Sequence, residues 1–252
     1  MSALATSLLI GVVLIAGAMA GVGLRRLLPE AQLDQHAKDI VRLGAGLMAT
    51  IVGLVLGLLV SSAKATYDTQ RDEVRQMTAS IVMVDNFLEQ YGPESRQARL
   101  ALRSIIPAAA DHMWGDDAER AARAPFTATS EGQAAVRAIR SLTPTGDDQR
   151  FFQGQALQAM TSLTQVRLVL YEQAGVRMPF VFLAVVVAWL FVLFASFSLF
   201  SPVNPTAIGA VMIIALSAAA AIFLILEMYH PFTGFMQIDS TPLRQALAPL
   251  PP

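Results

Sequence analysis

The stretch VRLGAGLMATIVGLVLGLLVSSAKATYDTQ, residues 41–70, decides the fold. Residues 43–63 within it carry no charge. About 20 apolar residues are enough for a helix to cross the hydrocarbon core of a bilayer. The stretch therefore predicts a transmembrane helix.

One side of this predicted helix is small or polar, with a cation at each end. At 100° per residue these residues fall within an arc of about 100°. The other sides are mostly Leu, Ile, Val, Met and Ala, so we expect the small side to face another helix or water rather than lipid. We call this side the small-residue stripe: Arg42, Gly46, Thr50, Gly53, Gly57, Ser61 and Lys64.

Two interpretations of the small-residue stripe stay open. In the first, copies of the helix surround an axis, the small residues line a narrow path, and Arg42 and Lys64 attract anions to its mouths. In the second, Gly53 and Gly57 pack against another helix, and the two cations reach the membrane interfaces. The cations lie about 33 Å apart on a helix that rises ~1.5 Å per residue, which both interpretations predict.

The composition agrees with a membrane protein. The 252 residues are 54% hydrophobic and 15% charged, whereas a soluble domain carries about 25% charged residues. We expect an all-α integral membrane protein with four transmembrane helices, at about residues 4–24, 43–63, 180–200 and 206–227. Because residues 1–7 contain no Lys or Arg, the first is predicted to be a retained span rather than a signal peptide. Its Gly17 and Gly21 suit close helix packing.

The chain order predicts four segments. Residues 1–65 form a transmembrane hairpin, 66–177 a soluble helical bundle, 178–230 a second hairpin, and 231–252 a tail with a short helix. No Gly or Pro interrupts residues 61–91, and apolar side chains continue there at spacings of three and four. The second span therefore continues as a long helix out of the membrane, and Gly92-Pro93 ends it.

Residues just beyond this span are candidates for the mouth of a path. Tyr67, Asp68 and Arg71 follow the membrane exit, and Asp68 and Arg71 share a helix face. They either tune the mouth or are neighbours on a solvated helix. Four spans put both termini and the soluble region on the same side of the membrane. The cations of the short loop between the first two spans favour placing that loop in the cytoplasm. The cations of the long loop between the second and third spans favour the opposite orientation. The orientation in the membrane therefore stays open.

The sequence argues against several other classes of protein. A net charge of −1 gives no reason to expect a nucleic-acid partner. There are no cysteines, and the three histidines lie far apart, so we expect no metal and no cofactor. The chain has no phosphate-binding loop, nucleophile elbow or HExxH motif, which predicts that it is not an enzyme.

Two stretches resemble a known family. They are GLVLGLLVSSAKATYDTQRDEV, residues 53–74, and PFTGFMQIDSTPLRQAL, residues 231–247. Both are similar to the bacterial bestrophin-like domain family, formerly a domain of unknown function, and the order of spans and soluble region also fits. Within the tail, the motif residues are Pro231, Phe232, Gly234, Ile238, Pro242 and Leu243, for which we expect a structural role.

The resemblance implies a function. Bestrophins are oligomeric anion channels whose pores are lined by the second spanning helix. The resemblance thus implies a homo-oligomeric ion channel in a bacterial inner membrane, with lipid as its surroundings and small inorganic ions, anions first, as the permeant species. The alternative is a non-conducting scaffold or stress-related membrane protein whose helical bundle binds a partner.

Overall fold

The computed structural model describes residues 3–29, 35–115, 129–174, 178, 180–200 and 205–247. These residues form helices and connecting turns and contain no strand, which confirms the predicted all-helical class. The helices are α1 (Ala3–Leu27), α2 (Gln35–Tyr91), α3 (Arg96–Trp114), α4 (Ser130–Arg140), α5 (Asp147–Ala174), α6 (Phe180–Phe200), α7 (Pro205–Met228) and α8 (Thr241–Arg244). A 3-10 turn, Pro93–Ser95, precedes α3.

Four of the described helices, α1, α2, α6 and α7, are long and apolar enough to cross a membrane. The predicted continuation of the second helix is confirmed, because α2 is a single helix of 57 residues. It ends at Tyr91 because Gly92 adopts a φ of 120°, a conformation that glycine tolerates best, and Pro93 follows. The Ser95 hydroxyl lies within hydrogen-bond distance of the carbonyl oxygens of Leu88 and Gly92, so its one hydrogen serves an acceptor left open at the helix end.

The chain divides into two compact units. The first comprises residues 1–67 and 178–230, and the second comprises residues 68–177 and 231–252. In the first unit, α1 packs against α6 and α7. Its core is apolar and draws side chains from α1, α2, α6 and α7: Ile10, Leu14, Ala45, Val52, Val186, Leu190, Leu193, Phe194, Ala215, Ile222 and Leu226.

Two glycines of α1 allow the backbones of α1 and α6 to approach closely. A Cβ atom on Gly17 would lie 2.9 Å from the Phe191 carbonyl oxygen, and one on Gly21 would overlap the Ala195 carbonyl group. A real Cβ atom cannot occupy either position without moving backbone. The predicted use of these glycines in close helix packing is thus confirmed.

We expect Gly21→Ala to lower the thermal stability of the purified protein by about 1–3 kcal/mol, because α6 must shift to admit the methyl group. Gly23→Ala is the matched control, since a Cβ atom there has no neighbour within 4 Å among the described residues. Thermal unfolding in detergent, followed by circular dichroism, measures both variants. Equal melting temperatures for the two variants would contradict the close packing of α1 on α6.

The core of the second unit includes apolar side chains of two long helices. On α2 and α5 these side chains are spaced mostly by threes and fours, and each is at most 8% exposed: Val74, Met77, Ile81, Val84, Leu88, Tyr91, Ala156, Ala159, Leu163, Val166 and Leu170. Side-chain amides near the start of α5 hydrogen-bond to backbone carbonyls at the C-terminal ends of α2 and α4. Gln149 Nε2 donates to the Tyr91 carbonyl oxygen at 3.1 Å, and Gln153 Nε2 donates to that of Ile139 at 2.9 Å.

A buried ion pair joins α2 to α3 in this unit. The Arg99 guanidinium donates two hydrogen bonds to the Asp85 carboxylate, from Nε at 2.9 Å and from Nη2 at 2.8 Å. Arg103 Nη2 lies 3.6 Å from the same carboxylate. The side chains of Asp85 and Arg99 are 9% and 13% exposed, and the hydrogen bonds to Asp85 raise the pKa of Arg99.

Asp85→Ala should destabilise the second unit by about 3–5 kcal/mol, because it removes the buried carboxylate and leaves the Arg99 guanidinium, among the described residues, only the exposed Glu89 at 3.5 Å. The control is Asp147→Ala, which removes the exposed pair of Asp147 and Arg150 at 3.0 Å and should cost at most about 1 kcal/mol. Chemical denaturation of both variants gives the free energies of unfolding. If the two losses were equal, the carboxylate at position 85 would have no special structural role.

A second polar contact joins α2 to α5. Gln70 is 3% exposed, and its Nε2 donates to the Gln173 carbonyl oxygen at 3.3 Å. Gln173 Nε2 in turn donates to Glu73 Oε1 at 2.6 Å. Burial raises the pKa of the Glu73 carboxyl, and the hydrogen bond from Gln173 opposes part of that rise.

A raised pKa means that the folded state binds the Glu73 proton more tightly than the unfolded state. The resulting stabilisation is fully present below the ordinary pKa of 4.5 and is lost as the pH rises through the folded-state pKa. Glu73→Gln should therefore raise the melting temperature at pH 7.5 relative to wild type, with less gain at pH 4. Glu172→Gln, at an exposed position of α5, is the control. A gain from Glu73→Gln that does not depend on pH would refute this assignment.

Candidate functional site

The small-residue stripe lies on the surface of the single chain. All seven residues, from Arg42 to Lys64, are exposed. A Cβ atom built on Gly46, Gly53 or Gly57 meets nothing within 4 Å in the described part of the chain. Among the described residues, no helix of the same chain therefore packs into the glycines of the stripe.

The membrane-length part of α2 has three distinct sides. One side faces the core of the first unit and buries Ala45, Val52 and Ala63. A second side carries a row of leucines, each at least 65% exposed: Leu43, Leu47, Leu54 and Leu58. At 100° per residue the stripe is the third side, about 115° from the buried side and about 80° from the leucine row.

Of the four candidate spans, α2 is the least covered within the chain. In its most apolar 18-residue stretch 6% of the residues are buried, compared with 28% in α1 and α6 and 17% in α7. Leucine side chains suit contact with lipid, whereas a row of glycines leaves backbone uncovered and offers lipid little to pack against. The stripe and the leucine row therefore suit different surroundings.

The stripe has a simple electrostatic character. Between Arg42 and Lys64 there is no ionisable side chain. The Thr50 hydroxyl donates to the Gly46 carbonyl oxygen at 3.1 Å, so its hydrogen is used within the helix. The surface is therefore narrow and uncharged along its length, and its positive charge is concentrated at the two ends.

The structure places the predicted mouth residues in different surroundings. Tyr67 packs against the small cluster of Ala63, Ile225 and Met228. Arg71 lies 3.8 Å from Asp68 and 3.9 Å from Asp72, and the side chains of these pairs are between 34% and 65% exposed. Surface ion pairs of this kind contribute at most about 1 kcal/mol. Their contribution therefore concerns local charge near the end of the stripe more than stability.

The tail motif closes on itself and on α3. Ile238 N–H donates to the Pro231 carbonyl oxygen at 2.7 Å, and Gly234 makes the turn between them with a φ of 91°. The Trp114 indole N–H donates to the Ile238 carbonyl oxygen at 2.8 Å. Its ring meets that of Phe232 edge-to-face, with 5.4 Å between centroids. These contacts support the structural role expected for the motif.

The end of the tail continues this docking. Leu243 is fully buried, and α8 contacts α3. Asp239 Oδ1 accepts a hydrogen bond from the Thr241 N–H at 2.8 Å, which organises the first turn of α8. Pro242 is exposed in that turn, where a residue without an N–H does no harm.

Three of the polar contacts described above were not predicted from the sequence. Trp114 and Ile238 are 124 residues apart, and Gln173 and Glu73 are 100 apart, so no local pattern connects them. Asp85 and Arg99 are only 14 apart, on helices joined by a short turn. The sequence signal that could have indicated this ion pair is that two opposite charges lie among apolar residues on neighbouring helices.

No group of three or more His, Cys, Asp or Glu residues in the described ranges is arranged to hold a metal ion.

Comparison with known proteins identifies the family. No curated protein and no solved structure matches the chain. The family model of the bestrophin-like domain matches residues 12–243, which is nearly the whole chain and includes both the stripe and the tail motif. The chain therefore belongs to the bestrophin-like domain family.

Proposed function

We propose that copies of this chain assemble around an axis with the small-residue stripe of α2 on the inside, and that the assembly is an ion channel that conducts anions. The observation that carries this proposal is the exposure of all seven stripe residues, Arg42 to Lys64, in the single chain. Membership of the bestrophin-like domain family supports it.

Packing supports the self-association. Exposed glycines such as Gly53 and Gly57 allow helix backbones to approach each other closely, and small residues are enriched where transmembrane helices meet. A second copy of α2 is a partner of the right length and shape. Identical subunits related by a closed rotation axis bring the same stripe to that axis in every copy, while the leucine row remains available for lipid.

Charge supports anions as the permeant species. A ring of n subunits would place n copies of Arg42 at one end of the stripe and n copies of Lys64 at the other. Residues 40–67 contain no Asp or Glu, so the wall between the two cations carries no acidic side chain, and the nearest carboxylates in the sequence, Asp39 and Asp68, lie just beyond its ends. Rings of cations attract anions to a pore, and an uncharged wall between the rings lets them leave again.

The proposed setting is a bacterial inner membrane. The apolar helices α1, α2, α6 and α7 cross the bilayer, which makes lipid the main partner of their outer surfaces. Four crossings place both termini and the region between the second and third spans on one side.

A non-conducting scaffold is the second candidate function, and the same glycines favour it. Because Gly46, Gly53 and Gly57 present no side chain, the helices can approach until the axis closes. The assembly would then hold the second unit in several copies for a partner, and no ion would pass.

Reconstitution into planar bilayers under a KCl gradient tests the channel. We expect a current whose reversal potential lies close to the equilibrium potential of chloride. Lys64→Glu should move the reversal potential toward that of potassium, because it replaces a ring of cations by a ring of carboxylates. Gly53→Leu should reduce the conductance at least about tenfold by filling the path with side chains.

The matched control for charge reversal is Arg140→Glu, at an exposed position at the end of α4, which should leave selectivity unchanged. The size of each assembly in detergent is measured in parallel, so that loss of current is not confused with loss of subunits. A well-folded oligomer that passes no current above background would overturn the channel and favour the scaffold.

A further inference from the structure

The segment 231–238, PFTGFMQI, exposes apolar side chains soon after the last candidate span ends. Phe235 is 78% exposed and Met236 is 37% exposed. None of the eight residues is charged. Leaving a phenylalanine in water forgoes about 1.5–3 kcal/mol of burial, so this exposure calls for a physical reason. We call residues 231–238 the tail loop.

The tail loop holds a defined shape. The hydrogen bond from Ile238 N–H to the Pro231 carbonyl oxygen closes its base. Trp114 holds the same Ile238 through its carbonyl oxygen and packs against Phe232. These contacts cover Phe232 in part, while Phe235 at the tip stays exposed. The loop therefore presents its tip rather than burying it.

The position of the loop in the chain limits how far its tip can be from the end of α7. Phe235 follows Met228 by seven positions, so their Cα atoms are at most about 25 Å apart at ~3.6 Å per extended residue. Tyr229 immediately follows α7, and aromatic residues are enriched where transmembrane helices leave the hydrocarbon core. An uncharged aromatic tip within this reach suits insertion at the lipid headgroup boundary.

We propose that the tail loop is a lipid-contacting anchor, in which Phe235 and Met236 insert into the interfacial layer of the bilayer. This inference rests on the proposed crossing of the membrane by α7. The partner is the lipid surface, recognised through apolar side chains and not through charge.

Site-directed spin labelling tests the anchor in the full chain. The protein has no cysteines, so Phe235→Cys gives a single labelling site, and Met236→Cys gives a second. Each labelled variant is reconstituted into phosphatidylcholine vesicles, and collisions with oxygen, which concentrates in lipid, are compared with those of a water-soluble nickel chelate. We expect the oxygen-to-nickel ratio at both positions to exceed that of an exposed aqueous site at least about threefold.

The aqueous reference is Phe151→Cys, because Phe151 is an equally large aromatic side chain, 58% exposed, near the start of α5. That part of α5 contacts the end of α2 at Tyr91, which follows Lys64 by 27 positions in the sequence. The lipid reference is Ile213→Cys, at a position of α7 that is 68% exposed.

The outcomes separate the anchor from the proposed topology. If Ile213 reports lipid and Phe235 reports water like Phe151, the anchor is wrong and the crossing by α7 stands. Shielding of Phe235 from both reagents would indicate contact with protein and would also overturn the anchor. If Ile213 itself reports water, the crossing by α7 fails, and the anchor fails with it.

Discussion

The unbroken hydrogen-bond ladder of α2 is the constraint on which the rest of the structure depends. No proline or glycine interrupts residues 61–91, so each backbone N–H in this region finds its carbonyl four residues earlier. One helix thereby supplies Ala45 and Val52 to the core of the first unit and Ile81 and Leu88 to that of the second. A break in these hydrogen bonds would uncouple the small-residue stripe of α2 from the apolar side chains of the same helix that pack in the core of the second unit.

The way the first unit distributes burial explains why one side of α2 stays exposed in the single chain. The glycines of α1 bring it so close to α6 that backbone meets side chain and backbone directly. The helices α1, α6 and α7 supply most of the core, and α2 contributes mainly small or branched side chains along one side. The glycines on its third side, such as Gly53, are then left without an intramolecular partner surface within the described residues, a condition that the proposed self-association requires.

Polar side chains give the second unit its specific geometry. Apolar seams at spacings of three and four fit several registers of helix packing, because leucine and valine pack in many ways. The buried Asp85 carboxylate, which accepts two hydrogen bonds from Arg99, is compatible with few of these registers. The same holds for Gln173, which uses its carbonyl oxygen and its amide to hold two residues of α2. The tail is held in place likewise, through one indole N–H and one backbone carbonyl.

The sequence by itself determined the helical class, four apolar helices and the continuation of the second to Tyr91, because these depend on local periodicity and on where glycine and proline interrupt it. It also determined which α2 residues share a side, since helix geometry alone places Gly53 beside Gly57. Only the tertiary structure decided which side of α2 is covered, because coverage depends on how α1, α6 and α7 pack. It alone revealed the partners of Asp85, Glu73 and Trp114, because contacts between distant residues leave no periodic trace in the sequence.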